Sequence, residues 1–292
     1  MKKFQFLFVI FLTLFSIRAF SFTSTLNEAN AYIQYHIGII YLNKEGEIHD
    51  YVKARSFFET AANQGMKEAQ YNLAFLYDNG LGVEQDYTKA KLWYERAAEQ
   101  DSKEAFNNLG LMYSKGKGVQ EDKVKAKELY EKSALLGYAV GQYNLAGMYY
   151  YAKGTEKNIN EAIKWYEKAA SQGNSDSQYN LANCYLRGIE CEKNETKAIN
   201  LYEEAAKSGN KLAQYNLGTL YLFGNVVNQD FVKAKYWLEA AAQQNDDMAQ
   251  FNLGLMYFDG LGLKKDKLKA LEWFKAACSN GHKKACKIYP RL

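Results

Sequence analysis

The chain has 292 residues, of which 48% are hydrophobic and 15% aromatic, and only one is a proline. This composition excludes a disordered chain and a proline-rich linker, because enough apolar area is available to build a core. The formal charge is +4, from 37 Lys and Arg against 33 Asp and Glu, and no acidic residue precedes Glu28.

The first predicted element is an apolar stretch at the N-terminus. Two lysines precede it, residues 4–17 are almost wholly apolar, and Arg18 and small residues up to Ser21 follow. This order is typical of a secretory signal peptide, and the stretch is shorter than the roughly 20 residues of a membrane-spanning helix. We expect a signal peptide over residues 1–21 and a periplasmic or secreted product. The alternative is a single-pass membrane anchor.

Cleavage of this segment would change the charge of the chain. It would remove three of the 37 basic residues and with them most of the net charge. A nearly neutral mature chain lacks the basic stripe that neutralises phosphates, so we expect no nucleic-acid partner. We also expect no stable membrane insertion after cleavage.

After a short polar lead-in at residues 22–28, the sequence repeats with a period of 36 residues. A leucine column comprises Ile37, Leu73, Leu109, Leu145, Leu181, Leu217 and Leu253. A tyrosine column from Tyr41 to Tyr257 and an alanine column from Ala54 to Ala270 have the same spacing. The register predicts seven copies, at residues 29–64, 65–100, 101–136, 137–172, 173–208, 209–244 and 245–280, and a partial eighth copy or C-terminal cap at 281–292.

Each copy contains two stretches with helical periodicity. In copy two, apolar residues between Ala69 and Tyr77 fall at i, i+4, i+7 and i+8, and the stretch from Ala90 to Ala98 has similar spacing. The glycine-rich segment 79–83 separates the two stretches. A single helical hairpin cannot bury both of its faces, so the copies must stack. We predict an all-α protein that forms a right-handed α/α superhelical solenoid with a concave and a convex surface.

Small residues mark two kinds of position in the copies. One column on the first helix contains only Gly or Ala and predicts a close approach of helices: Gly38, Ala74, Gly110, Ala146, Ala182, Gly218 and Gly254. A second column, from Gly65 to Gly281, lies where the second helix should end in a left-handed residue. Asp101 and Asn245 replace glycine there, and we expect the fold to accept them because Asp and Asn tolerate positive φ.

The best-matched parts of the copies are four short runs. In copy two they read AQYNLAFLY at 69–77, GLGV at 80–83, KA at 89–90 and WYERAA at 93–98. These runs and the 36-residue period resemble the Sel-one-like repeats, relatives of the 34-residue tetratricopeptide repeats. Departures are local: Ala152 replaces the first turn glycine of copy four, and Glu190 and Val226 replace the second in copies five and six. The resemblance implies an adaptor or scaffold that binds proteins or peptides, and bacterial members are often exported.

Four cysteines in an exported chain allow three disulfide connectivities. Cys184 falls in a buried column of the first helix and Cys191 in the turn column of Val83, and these columns should pack together within one hairpin. We expect the two to lie within bonding reach, and the alternative is two buried free thiols. The spacing of Cys278 and Cys286 resembles the helix-bridging disulfide of the family's cysteine-rich exported subgroup. That resemblance implies a bond that fastens the unfinished eighth copy to the array.

Catalytic and metal sites have little support in the sequence. β-Lactamase-type activity has been ascribed to the cysteine-rich subgroup, and two Ser-x-x-Lys matches exist, Ser114 to Lys117 and Ser208 to Lys211. Chance accounts for two such matches in a lysine-rich chain, and the companion motifs Ser-Asp-Asn and Lys-Thr-Gly are absent. His282, between two cysteines, lacks a fourth ligand for a metal ion. We expect no catalytic residue, no metal and no cofactor; the alternative function is a periplasmic hydrolase of β-lactam type.

The candidate binding site is a ladder of amides on the first helices. It comprises Asn72, Asn108, Asn144, Asn180, Asn216 and Asn252, accompanied by a glutamine column from Gln70 to Gln250. Asparagine is a mediocre helix former, so its repetition at a position that we expect to be exposed indicates selection for another property. In tetratricopeptide-like superhelices the first helices line the concave groove, where amides can bind the backbone of an extended peptide. The alternative is that the amides bond between neighbouring repeats and fix the stack.

These patterns together predict an exported, non-catalytic scaffold for a protein or peptide partner. The identity of that partner does not follow from the repeated positions, because groove specificity lies in the exposed residues that vary between copies.

Overall fold

A computed structural model describes residues 26–43 and 50–291 of the chain, and every regular element in this part is helical. The helices are α1 (26–42), α2 (Tyr51–Asn63), α3 (Lys67–Asn79), α4 (Tyr87–Ala98), α5 (Lys103–Lys115), α6 (Lys123–Leu135), α7 (Ala139–Tyr150), α8 (Ile159–Ser171), α9 (Ser175–Arg187), α10 (Glu195–Lys207), α11 (Lys211–Phe223), α12 (Phe231–Gln243), α13 (Asp247–Asp259), α14 (Lys267–Ser279) and α15 (Lys283–Ile288), followed by a 3-10 turn (Tyr289–Arg291). The expected signal peptide lies outside the described residues. No helix within them combines the length and the apolar character needed to cross a membrane.

An Asp or Asn precedes every second helix of a pair and caps its start. The side chain of Asp86 accepts a hydrogen bond from the backbone N–H of Lys89 at 2.9 Å, and Asn194 accepts one from Lys197 at 2.9 Å. The equivalent residues begin α2, α6, α8, α12 and α14. Such a cap satisfies a backbone donor that has no partner inside the helix and contributes about 1 kcal/mol. The starts of these helices therefore follow from one repeated residue type.

Left-handed residues stand at or shortly after the ends of many of the described helices. Gly80, with φ of 67°, ends α3, and its N–H bonds to the carbonyl of Leu76. At the ends of second helices, Asp101 (φ 58°) and Asn245 (φ 59°) adopt the left-handed conformation in place of glycine, as expected.

The departures from the turn pattern behave differently from one another. Ala152 (φ 53°) and Glu190 (φ 69°) keep the left-handed conformation of the glycines they replace, although neither residue type favours it. Val226 is not among the described residues with positive φ, so the turn of copy six follows another backbone path.

The column of small residues lies where the two helices of a pair touch. A Cβ atom on Gly110 would lie 2.8 Å from the ring of Tyr130, and one on Gly254 would lie 2.5 Å from the ring of Phe274. Ala74 of the same column is fully buried. The predicted close approach is confirmed, because at these glycines even a methyl group would overlap an aromatic ring.

Contacts between helices divide the chain into two compact units. One extends to Gly141 and includes Lys153–Thr155, and the other comprises Gln142–Ala152 and Glu156–Leu292. In the first unit, consecutive helices from α2 to α6 pack on one another around Phe58, Leu73 and Tyr94. In the second, consecutive helices from α8 to α15 pack around Tyr202, Leu217, Leu238 and Phe274. Within each unit the hairpins stack in chain order, which confirms the predicted all-α solenoid architecture.

Candidate functional site

The six predicted asparagines lie on the first helices, one residue before the core leucine. Five are half-buried, and Asn252 is buried with 8% of its surface exposed. The expectation that this position is exposed is therefore wrong. In some copies a tyrosine of the preceding copy contacts it: Asn108 Nδ2 donates a hydrogen bond to the Tyr94 hydroxyl at 2.9 Å, and Asn216 Nδ2 donates to that of Tyr202 at 3.3 Å.

These tyrosines are shielded from water, which raises the pKa of their hydroxyl groups. Burial raises the pKa of Tyr202 to about 12, while the hydrogen bond from Asn216 acts in the opposite direction. Burial likewise raises the pKa of Tyr166, whose hydroxyl is hydrogen-bonded to Asn180. The hydroxyls stay protonated at physiological pH, so each Asn–Tyr pair is a neutral hydrogen bond between neighbouring copies.

The glutamine column forms a second, fully internal ladder, and its five members are buried. Gln214 shows the pattern: its Nε2 donates to the carbonyl of Ala206 in the preceding copy at 3.0 Å, and its Oε1 accepts from Gln244 Nε2 at 2.9 Å. Gln70 and Gln250 make equivalent pairs of bonds. Because these amides are buried and bonded on both sides, they hold the stack together.

Gln178 breaks this pattern. Its Nε2 donates to the carbonyl of Ala170 at 3.3 Å and to Glu204 Oε2 at 3.0 Å. Its buried Oε1 has no hydrogen-bond partner. The position that supplies the donor in other copies is occupied by Ser208, whose side chain is too short to reach.

The structure pairs the four cysteines as expected. Cys184 is bonded to Cys191 and joins α9 to the following turn, and Cys278 is bonded to Cys286 and joins the end of α14 to α15. The Cα–Cα separations are 6.0 and 4.6 Å respectively, within the usual range of disulfides.

His282 has a structural role between the last two cysteines. Its Nδ1 accepts a hydrogen bond from the backbone N–H of Ala285 at 3.1 Å and so caps α15. Its ring stacks on Phe251 with the centroids 4.2 Å apart. In residues 26–43 and 50–291 no group of three or more His, Cys, Asp or Glu side chains could hold a metal ion.

The two Ser-x-x-Lys matches have other contacts. Ser114 lies in the last turn of α5 and hydrogen-bonds to Tyr130. Lys117 lies 4.0 Å from the Asp78 carboxylate of the preceding copy. Ser208 stands at the C-terminal end of α10.

A cavity of about 280 Å³ lies among the end of α7, α8 and α9, and sequence reasoning missed it. Tyr150, Tyr166 and Ile163 contribute to its walls, and Asn180 of the asparagine ladder lines it. Cys184 also lines it, so one of the two disulfides borders the cavity.

One signal for this cavity was present in the sequence, at Ile163. In three other copies a lysine at this position forms an ion pair with a glutamate four residues later: Lys91, Lys127 and Lys235. In copy four the position is apolar, and Glu167 contacts Lys197 of the next copy instead. The position is charged in copies one, two, three and six and apolar in copies four, five and seven, where Ile163, Ile199 and Leu271 occupy it. In copy four this apolar side chain forms part of the cavity wall.

A second signal was the loss of bulk on the first helices of copies four and five. Gly147 and Asn183 stand where the first three copies have Ile39, Phe75 and Leu111. A Cβ atom on Gly147 would have one neighbour within 4 Å, the Tyr166 hydroxyl at 3.9 Å, so the space beside it is open.

Comparison with known proteins gives one consistent result. The family model described as "Sel1 repeat" matches residues 31–66, 67–102, 104–138, 139–174, 175–210, 211–246 and 247–282. A protective antigen present in uropathogenic Escherichia coli strains, displaying an SLR fold, is 35% identical with a TM-score of 0.78. A Sel1 repeat protein from Oxalobacter formigenes is 33% identical with a TM-score of 0.76. Each match covers 90% of this chain.

The chain spans 56% of the length of the E. coli protein and 76% of the O. formigenes protein. An immunity protein from Pseudomonas aeruginosa, 22% identical with a TM-score of 0.54, is similar in fold alone over 75% of this chain and 83% of that chain. No curated protein matches the chain.

Proposed function

Since the chain belongs to the Sel1 repeat family, we propose that it is an exported, non-catalytic scaffold that binds a protein or peptide partner through its first helices. Asn180 carries this proposal, because its half-buried amide belongs to the repeated ladder and also lines an open cavity. An amide there can donate to and accept from a peptide backbone without requiring one sequence. Two disulfides and the apolar N-terminal stretch support export, since structural disulfides persist in oxidising compartments.

Identification of a partner is the first experiment. The mature chain, beginning at Phe22, is immobilised and exposed to an envelope extract, and any captured protein is purified and measured again in isolation. The same preparation is assayed with nitrocefin, and multiple turnovers would contradict the non-catalytic part of the proposal. Edman sequencing of the exported protein checks the expected cleavage after Ser21.

Two variants then separate binding by the asparagine ladder from its role in stacking. Asn216→Ala removes the amide, whereas Tyr202→Phe removes only the hydroxyl to which that amide donates. We expect Asn216→Ala to lower the free energy of unfolding by about 1 kcal/mol, because it breaks the inter-repeat hydrogen bond. Tyr202→Phe should lower it by more, because it also removes the bond that the Tyr202 hydroxyl donates to Asn183 Oδ1. Only Asn216→Ala should weaken partner binding, measured by titration calorimetry. Equal partner binding by both variants would show that Asn216 serves only the stacking of the repeats.

A further inference from the structure

We propose that the cavity among α7, α8 and α9 receives one apolar side chain of a peptide partner, and that Arg187 pairs with a carboxylate beside that side chain. The inference rests on the proposed function, because it names the chemistry of the segment that the scaffold binds. Arg187 lines the cavity from the end of α9.

The size of the cavity restricts what can enter. Its volume of about 280 Å³ is just below the range of roughly 300–1,000 Å³ that is usual for small-molecule sites. A single large side chain such as Phe or Leu, with its flanking peptide groups, is the part of a peptide that fits this space. The cavity therefore suits an anchor residue rather than a bulky cofactor.

One part of the lining is apolar and suits an apolar side chain. Ile159 and Ile163 lie one turn apart on α8, and Tyr150 and Tyr179 contribute aromatic rings from α7 and α9. Because Ile163 replaces the lysine found in copies two, three and six, no ammonium group has to be desolvated when this wall is covered.

Most polar groups at the cavity already have partners, but Arg187 lacks a counter-charge. Glu190 Oε1 bonds to Lys157 Nζ at 2.6 Å, and Asn183 Oδ1 accepts from the Tyr202 hydroxyl at 2.9 Å. Arg187 forms no salt bridge with any residue in the described part of the chain. A guanidinium binds a carboxylate through charge-assisted hydrogen bonds, so the occupant should be anionic next to its apolar group.

The rim of the cavity is fixed before any ligand arrives. Ile189 and Glu190 lie in the short link that the Cys184–Cys191 disulfide closes, and Glu190 is also tied to Lys157. A rim with few alternative conformations loses little entropy on binding, which favours even a small ligand.

Two small probes test the proposal without a protein partner. N-acetyl-L-phenylalanine offers an aromatic ring and a carboxylate, and N-acetyl-L-phenylalaninamide differs only in lacking the charge. We expect titration of the mature, oxidised protein, with ¹³C-labelled isoleucine methyl groups, to shift the signals of Ile159, Ile163 and Ile189. We expect the acid to bind about fivefold more tightly than the amide, because only the acid pairs with Arg187.

Substitutions assign this difference to named groups. Arg187→Gln should abolish the preference for the acid, whereas Lys115→Gln, at the equivalent position of copy three, should retain it. Ile163→Lys should abolish binding of both probes. This variant is expected to fold, because it restores the residue of copies two, three and six and places it four residues before Glu167; circular dichroism checks that.

Equal affinity for the acid and the amide in the wild-type protein would overturn the role of Arg187. Methyl shifts outside the cavity, or an undiminished response in Ile163→Lys, would overturn the site itself. Neither result affects whether a protein partner is captured. The cavity proposal can therefore fail while the scaffold proposal stands, and the two failures are distinguishable. A captured partner that binds Ile163→Lys as well as wild type would reject the anchor role alone.

Discussion

Ser208 and Gln178 illustrate how much a single residue matters when a polar pair is buried. In copy three, Phe106 and Leu136 occupy the positions of the amide pair, so neither leaves an unpaired polar atom. Copy five keeps Gln178 but has Ser208 where Gln100 of copy two donates, and the carbonyl oxygen of Gln178 is unpaired. Replacing both partners is nearly neutral, whereas replacing one leaves a desolvated acceptor.

Ser208→Gln is therefore expected to stabilise the protein by about 1 kcal/mol, because its amide can donate to Gln178 Oε1. In copies two and six the equivalent residue makes this bond at 2.8 and 2.9 Å. Urea unfolding measures the change. Gln244→Ser is the matched control and should lower the free energy of unfolding by a similar amount, since it leaves Gln214 Oε1 without its donor, as Gln178 Oε1 is in the wild-type protein. A destabilised Ser208→Gln would contradict this account.

Asp78 gives a prediction that depends on pH. Its carboxylate is partly buried, and burial raises its pKa above the usual value, although Lys117 and the Tyr94 hydroxyl act in the opposite direction. Folding therefore disfavours the ionised form. The cost is absent below the unfolded pKa of about 3.9 and is complete above the raised folded pKa.

We expect Asp78→Asn to unfold at a higher temperature than wild type at pH 7 and at the same temperature at pH 3. Asp86→Asn provides the opposite case, because the hydrogen bond from the Lys89 N–H lowers the pKa of Asp86. Its substitution should destabilise at pH 7, with the difference shrinking as pH falls through the lowered folded pKa. Thermal melts across this pH range would contradict the account if both variants shifted in the same direction.

At the scale of helices and turns, most helix ends have a glycine in the left-handed conformation, and the residues that replace it differ in how well they adopt that conformation. Asp and Asn accept a left-handed backbone at little cost, which explains why Asp101 and Asn245 leave the ends of α4 and α12 intact. Ala152, after α7, holds φ at 53° with a residue type that disfavours this conformation, so the turn stores backbone strain.

Ala152→Gly should release that strain and stabilise the protein by about 1 kcal/mol, less the entropy that glycine adds to the unfolded chain. Asn245→Gly is the control, and its gain should be smaller because Asn already tolerates positive φ. Chemical unfolding of the two variants in parallel measures the difference. A larger gain at Asn245 would show that backbone strain does not govern these ends.

Over the whole molecule, the repeat register was sufficient to predict what recurs. Each column meets the same surroundings in every copy, so the hairpins, the close contact at Gly254 and the left-handed Asp101 followed from alignment of the chain with itself. The pairing of Cys184 with Cys191 also followed, because the register placed both in one hairpin.

Features that depend on contacts between copies, or that occur in one copy only, did not follow from the repeat register. The exposure of the asparagine ladder was misjudged because it depends on tyrosines of the neighbouring copy, such as Tyr94 over Asn108, and hence on how copies stack. The cavity was missed because it lies where two columns change residue type, at Ile163 and Asn183. Each change was visible in the sequence, but only the packing of α8 and α9 shows that both residues line one space.

Because the Cys184–Cys191 bond closes the turn at the rim of the cavity, the rim depends on whether these thiols are oxidised. Without the disulfide, the turn that carries Ile189 and Glu190 loses its covalent link to α9, while the ion pair of Glu190 with Lys157 joins it to the turn after α7. In a reducing compartment the rim would be less constrained, and thiol oxidation would complete it. The shape of this cavity therefore depends on the redox state under which the chain folds, and reduced and oxidised preparations are expected to differ at this site.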